Sequence, residues 1–549
     1  MANKIELLDC TLRDGAYVVD AKFGTAAVRG MIRKMQDAGV EIIECGWLKN
    51  EPHEQGTTYF HVPDDLGQYL TGKSKRSLYV AMMDWDRYDL DHLPVYDGNT
   101  IDAVRIVFPY GKHKEGISVG KAVKEKGYRI FFQAANTLAY ANEDLAELAQ
   151  TVNEVHPDCL SVVDTFGAMY DTDLERIVSV LDGHLDQDIK IGFHSHNNQQ
   201  LSFSLTMRFI QLLEQTGRGI VVDASLCGMG RGAGNANTEL VANYLNRKKQ
   251  GGYQMNVILD AIDTYMGYFQ ENYCWGYSIP YFIAGMYCCH VNNIVYLLKN
   301  HRTNAVDMKN IIESLMPEER RRYDYEVLEQ KYLENQNRTV DDSRAMKELG
   351  RILKNRDVLL IAPGKSADTE QDRIRQYIAE NRPVVIGVNA VNPHYVYDYL
   401  FFINSIRYHY AQDVYTEQWK QTKKIHLSSI KTKADQGETI INFYRVIKRG
   451  WEHFDNAVID CLRLLDQLDI EQVSIAGFDG FKHKYNESYA DALLPTLNPD
   501  GQWDKLNEEI LDMFQDFQTT RGHRWKIQFL TDSIFEGGHT PLCKAGDQK

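Results

Sequence analysis

The chain has 549 residues, 44% hydrophobic and 25% charged, which is too long for one ordinary core and normal in composition for two or three globular units. Its 61 Lys and Arg against 76 Asp and Glu leave a formal net charge of -15, a balance that repels phosphate backbones and argues against nucleic acid as a partner. No apolar run is long enough for a bilayer, Met1-Ala2-Asn3-Lys4 lacks a secretory pattern, and the nine cysteines (Cys543 the last) contain no C-x-x-C pair. The expectation is a cytoplasmic protein without membrane contact, disulfide framework or zinc ribbon; a homo-oligomer is compatible with the sequence.

Along the first 230 residues, eight short apolar runs (5–10, 41–46, 77–83, 103–109, 129–135, 159–165, 190–196 and 220–226) alternate with helical patterns such as 26–38 and 142–155. Strand–helix alternation implies parallel strands, and eight such units predict an α/β fold closed into a (β/α)8 TIM barrel, with an open doubly wound sheet as the alternative. Residues 251–300 are aromatic-rich and helical in pattern, and 301–350 are strongly charged, with Glu318-Glu319-Arg320-Arg321-Arg322 read as surface helix. From about 355, runs at 357–362, 384–388, 399–403, 425–427, 473–477 and 527–530 predict an open, Rossmann-like three-layer α/β domain. The expected division is a barrel over 1–250, a helical extension and linker over 251–350, and the Rossmann-like domain over 351–549.

In either architecture chemistry belongs at the C-terminal strand ends, and these are unusually polar here. His194 and His196 lie two apart on a predicted strand, so both imidazoles point to one face and can reach one ion. An H-x-H pair by itself more often binds no metal. Asp14, alone a turn or capping residue, follows the first strand, and in a closed eight-strand barrel only strand eight separates strands one and seven. One carboxylate and two imidazoles suit Mg²⁺ or Mn²⁺; Zn²⁺ fits the set less well. Arg13 can stabilise a developing enolate or bind a substrate carboxylate, or simply pair with Asp14 or Glu44. Glu44 can orient the site or serve as an ion-pair partner.

These residues carry a resemblance. Asp9-Cys10-Thr11-Leu12-Arg13-Asp14-Gly15 is similar to the D-x-T-L-R-D-G opening of the DRE-TIM metallolyases, the HMG-CoA lyase-like family. Gly192-Phe193-His194-Ser195-His196-Asn197-Asn198 and the stretch from Asp223 to Asn235 resemble the family's two later motifs, so the likeness covers about residues 1–300. It implies a divalent metal held by Asp14, His194 and His196, with Asn235 as a further ligand, and a catalytic role for Arg13. The third motif looks most like that of the 4-hydroxy-2-oxovalerate aldolases. The resemblance therefore implies cleavage or formation of a C–C bond in a 4-hydroxy-2-oxo acid, giving pyruvate and an aldehyde. One departure stands out: where these aldolases carry a histidine, a candidate base, this chain has Tyr17, which ordinarily keeps its proton. Tyr17 can orient substrate, relay a proton or merely pack, and His290 is a second candidate base or a structural histidine.

In the second domain, Gly364-Lys365-Ser366 follow a strand and precede a helix, a turn that can present backbone N–H groups to a phosphate. Leu359 stands where a complete Walker A loop requires glycine. Asp479, in Ala476-Gly477-Phe478-Asp479-Gly480, marks a second strand-end loop, and fold analogy suggests a nucleotide or sugar-phosphate in a cleft between them. The competing readings are a Claisen-type acyl-CoA lyase or synthase on the same metal site, and a binding or transferase protein acting through residues 351–549.

Overall fold

The computed structural model describes residues 5–301, 303–336, 339–432, 438–448, 450–451, 456–482, 485–496, 501–521 and 525–536; Met1 to Lys4 and Cys543 lie outside them. Contacts divide the chain into two compact units, Met1–Ile294 with Met316–Tyr323, and Val295–Leu315 with Asp324–Lys549. Among the described residues every cysteine is free, and no helix is long and apolar enough to cross a membrane.

The first unit is a closed barrel of eight parallel strands: β1 (Ile5–Asp9), β2 (Ile42–Leu48), β3 (Leu78–Asp84), β4 (Ala103–Phe108), β5 (Arg129–Ala134), β6 (Cys159–Asp164), β7 (Lys190–Ser195) and β8 (Ile220–Ala224). β1 closes the ring by pairing with both β2 and β8. All eight predicted runs are strands. A two-residue strand, Tyr59–Phe60, adds to the edge of β2 and escaped the periodicity. The helices between them bury one stripe: Thr25–Ala38 buries Val28, Met31, Ile32, Met35 and Ala38, spaced at three and four residues. After β3 only a 3-10 turn, Leu90–His92, forms, because Leu93-Pro94 and Asp97-Gly98-Asn99 leave no room for a helical run.

The lumen is filled in layers. Leu8, Ile42, Val80, Ala103, Phe131, Cys159 and Val221 form an apolar cluster of their own, distinct from the strand–helix core. Inward positions recur every second residue, so the next level is set by Glu44, Arg105, Gln133, Ser161 and Asp223, all buried. An apolar plug thus supports a polar layer, and that layer supports the C-terminal rim.

The second unit is an open parallel sheet of seven strands: β9 (Val358–Ile361), β10 (Val384–Val388), β11 (Tyr399–Phe402), β12 (Lys423–Leu427), β13 (Glu438–Ile441), β14 (Gln472–Ala476) and β15 (Lys526–Phe529), in the order β13-β12-β11-β10-β9-β14-β15. Apolar clusters cover both of its faces. Strand order reverses between β9 and β14, and the two loops named from sequence meet there: Gly364 N–H donates to the Gly477 carbonyl at 2.8 Å. β13 is the strand that the sequence reading lacks.

A bulge on β2 aims Glu44. The register with β3 slips between Glu44 and Gly46, and Gly46 takes φ +153°. A Cβ there would lie 2.1 Å from the Thr58 carbonyl oxygen. Gly46→Ala should therefore destabilise the barrel by about 3 kcal/mol and shift the Glu44 carboxylate; chemical denaturation of both proteins measures the first effect.

Candidate active site and metal centre

The polar layer is a chain of alternating charge. His194 Nδ1 lies 3.0 Å from Asp223 Oδ2, and Arg105 reaches that same oxygen at 2.5 Å and Glu44 Oε2 at 2.8 Å. Arg13 Nε donates to Glu44 Oε2 at 2.8 Å, and its NH1 pairs with Asp14 Oδ1 at 2.5 Å. Arg105 also holds Gln133 Oε1 at 2.9 Å, and Gln133 donates onward to Ser161. Burial opposes the charges on Arg13, Asp14, Arg105 and Asp223, and their partners overcome it. Arg13 and His196 hold the Asp14 carboxyl well below its ordinary value, Arg105 and His194 lower Asp223, and Glu44 and Asp14 raise the Arg13 guanidinium. Two arginines against three carboxylates leave this layer one net negative charge.

Sequence reasoning named Arg13, Asp14 and Glu44 but missed Arg105, Asp223 as a site residue, and Gln133. None of the three is announced within its own run; what marks them as inward is the register of their strands with the neighbouring ones.

Above this layer, ligand atoms of Asp14, His194 and His196 all lie within 4.8 Å of one another. Each ring is turned by a bond to its other nitrogen: His194 Nδ1 faces Asp223, and His196 Nδ1 lies 3.2 Å from the Asp164 carbonyl. That leaves Nε2 of both rings for the site. Burial lowers the His194 pKa against the pull of Asp223, which keeps the ring neutral, as a metal ligand must be. Asn235 pairs with His196 as an isolated bridge and donates Nδ2 to Asp14 Oδ2 at 2.7 Å. His196 Nε2 lies 3.5 Å from Asp14 Oδ2, and it, Asn235 Oδ1 and Arg13 NH2 are buried without a hydrogen-bond partner among the described residues. Three orphaned polar atoms around an ionised carboxylate are the donor set a divalent cation and an anionic ligand would satisfy. Gly230 makes this approach possible, since a Cβ there would stand 2.4 Å from both Asp14 Oδ2 and Asn235 Nδ2.

Tyr17 stands at the rim, 45% exposed, its ring edge-on to Trp47 at 6.0 Å and beneath the Arg231 guanidinium at 4.8 Å. Desolvation raises its phenol to about 12 despite the nearby arginine, so it holds its proton. His290 belongs to the same unit, and its Nε2 lies 3.0 Å from Arg231 NH2. Burial first and that guanidinium second lower His290 to about 3. It is neutral, with its ring engaged by Arg231.

In the second unit Gly364, Lys365 and Ser366 form the turn after β9. Ser366 N–H donates to Asp479 Oδ2 at 2.7 Å and its hydroxyl to Oδ1, so a carboxylate from the loop after β14 already meets the turn's amide. Gly364 and Asp479 line a cleft at the switch point together with Asn389, Asn404, Arg407 and Ser429.

Residues 113–265 match the HMGL-like family model. A 4-hydroxy-2-oxovalerate aldolase from Roseiflexus sp. (strain RS-1) is 28% identical over 266 residues, 48% of this chain and 76% of its own length. An oxaloacetate decarboxylase from Mycobacterium tuberculosis is 26% identical over 265 residues, 47% of this chain and 73% of its own. Among solved structures, the N-terminal domain of a candidate aldolase from Bacteroides vulgatus matches with a TM-score of 0.48 at 25% identity, covering 54% of this chain and 96% of that one.

Two outcomes are expected from the site's geometry. Gly230→Ala, which pushes Asp14 and Asn235 apart, should weaken Mn²⁺ binding about tenfold or more, read by metal titration. His290, lowered in the folded protein, contributes stability that is full above its unfolded pKa near 6.5 and is lost as pH falls toward 3. The Tm advantage of the native protein over His290→Gln should therefore shrink between pH 7 and pH 4.

Proposed function

We propose that this chain, whose barrel carries an HMGL-like carbon–carbon lyase domain, is a divalent-metal-dependent aldolase that cleaves or forms the C3–C4 bond of a 4-hydroxy-2-oxo acid, with pyruvate and an aldehyde as the other side of the reaction. The observation that carries the reading is the convergence of Asp14, His194 and His196 beside the unpartnered Arg13 NH2. Asp14, His194, His196 and Asn235 would hold the cation, Mn²⁺ or Mg²⁺, which when bound supplies Lewis acidity to the 2-oxo carbonyl.

The chain's own residues account for much of the rest. Arg13 is clamped by Glu44 through Nε and by Asp14 through NH1, so NH2 is the one nitrogen left to donate to oxygen. When the C3–C4 bond breaks, its electron pair becomes an enolate, and a fixed donor in a dry site stabilises that charge without reorganising. Glu44 and Asp223 are positioning residues: one orients Arg13, the other His194. Tyr17 retains its proton and presents a phenol at the rim, suited to hold an oxygen of the substrate rather than to accept a proton.

Tyr17 also favours a second reading. Decarboxylation of a 2-oxo diacid breaks a bond beside the same carbonyl and requires no base for a hydroxyl, and one of the relatives carries that name.

The test is purified protein with Mn²⁺, screened for pyruvate release from a panel of 4-hydroxy-2-oxo acids and from oxaloacetate, with exchange of the pyruvate methyl protons in D₂O followed separately. Exchange and pyruvate release are expected. Asp14→Ala should lose bound metal, and Arg13→Gln should retain metal while exchange falls about 10²- to 10³-fold. Equal metal content in the native protein and Asp14→Ala would remove the assignment.

A further inference from the structure

Arg231 is a cation that neither the metal group nor the polar layer uses. It lies in the loop after β8, and its backbone N–H reaches Asp14 Oδ2 at 3.3 Å. Its side chain therefore starts at the edge of the metal group and runs to the rim. There the guanidinium covers the Tyr17 ring at 4.8 Å, and a single nitrogen, NH2, meets both His290 Nε2 at 3.0 Å and Asn292 Oδ1 at 2.8 Å.

All of these side-chain partners are neutral. Arg13 and Arg105 each hold two carboxylates, whereas Arg231 makes no ion pair among the described residues. Its Nε and NH1 carry no hydrogen bond there either, so three of its five N–H hydrogens remain to meet an anion. Stacking on Tyr17 and two bonds to NH2 hold the group still, which removes much of the rotamer entropy that anion capture would otherwise cost. An arginine serving only to pin its loop would need no such unpartnered donors.

The aldolase reading fixes which anion this is. On that reading the 2-oxo acid end of the substrate lies at the metal group and Arg13. The guanidinium of Arg231 lies at the rim beside Tyr17, on the side where the other end of the substrate would emerge. We infer that Arg231 binds a second anionic group, a carboxylate or a phosphate, on the aldehyde-derived half of the substrate, so that the aldehyde partner is itself an anion. Tyr17 is the platform under the guanidinium, and His290 and Asn292 are positioning residues.

Binding decides this independently of turnover. Metal-free protein is titrated calorimetrically with two matched pairs, succinic semialdehyde against butanal and glyceraldehyde 3-phosphate against glyceraldehyde. The charged member of at least one pair should bind more tightly, and the pair with the larger Arg231 dependence identifies carboxylate or phosphate. Arg231→Gln should weaken charged-ligand binding at least about tenfold, and Arg231→Lys should recover part of it. Equal affinity in native protein and Arg231→Gln, or no preference for charge in the native protein, overturns the proposal. With Mn²⁺ and pyruvate, the ratio of kcat/KM for charged over neutral aldehyde should be about 30 or more in the native protein and near 1 in Arg231→Gln. The ratio cancels any damage to the metal loop common to both aldehydes, and a ratio that the substitution leaves unmoved also overturns the proposal. Failure of pyruvate to exchange its methyl protons would sink the aldolase reading instead, and the metal-free titration would still decide whether Arg231 takes an anion.

Discussion

The fully buried Arg105 between Glu44 and Asp223 is the contact on which the rest of the barrel's rim depends. Ionised groups leave water at a cost of several kcal/mol each, repaid only where partners meet them at hydrogen-bond distance. Arg105 repays two carboxylates at once, and each of those carboxylates then has a second duty: Glu44 fixes Arg13, and Asp223 fixes His194. The orientation of both groups at the mouth is thus inherited from a residue that touches neither the metal group nor any substrate. Removing such a partner strands the others, which is why this layer behaves as a unit rather than as separate pairs.

Much of this was legible in the order of residues. The eight strands appeared as apolar runs because parallel barrel strands are buried on both faces, and the inner strands of the second unit appeared for the same reason; the edge strand β15, exposed at alternate residues, was legible as well. Asp14, His194 and His196 could be paired before any coordinates, since strand parity and barrel closure force them toward one another. Double burial also hid Arg105. Without alternation along β4, nothing in the run Ala103-Val104-Arg105-Ile106-Val107-Phe108 tells inward from outward, and the parity becomes readable only once β3 and β5 are aligned beside it. β13 was missed because Glu438-Thr439-Ile440-Ile441 is short and half polar, with three of its four residues only partly buried. The turn Gly364-Lys365-Ser366 was placed correctly in the chain, but its bond to Asp479 spans 113 residues and no local pattern announces it.

Both units place polar groups by the same topological rule. In the barrel, the C-terminal ends of the strands gather residues from positions 13, 44, 105, 194, 196, 223 and 235 at one rim. In the open sheet, the reversal of strand order between β9 and β14 brings two loops together and leaves a cleft between them. The rim and the cleft differ in how charge is met. In the barrel, cations and anions alternate along a chain that keeps one net negative charge, and among the described residues the mouth holds one arginine without a counter-ion. In the second unit, the acidic Asp479 takes the turn's amide for itself.

The alternating chain of charge also has a consequence for how the barrel is made. Glu44 and Arg105 emerge from the ribosome more than a hundred residues before Asp223, and Asn235 follows later still. Until β8 arrives, a half-built barrel would carry an arginine with one of its two carboxylates missing and Asp14 without its amide partner, so partial closure gains little. Contacts this far apart in sequence make assembly slow, and their mutual dependence makes it all-or-none. Closure of the barrel thus waits on the pairing of the eighth strand with the first.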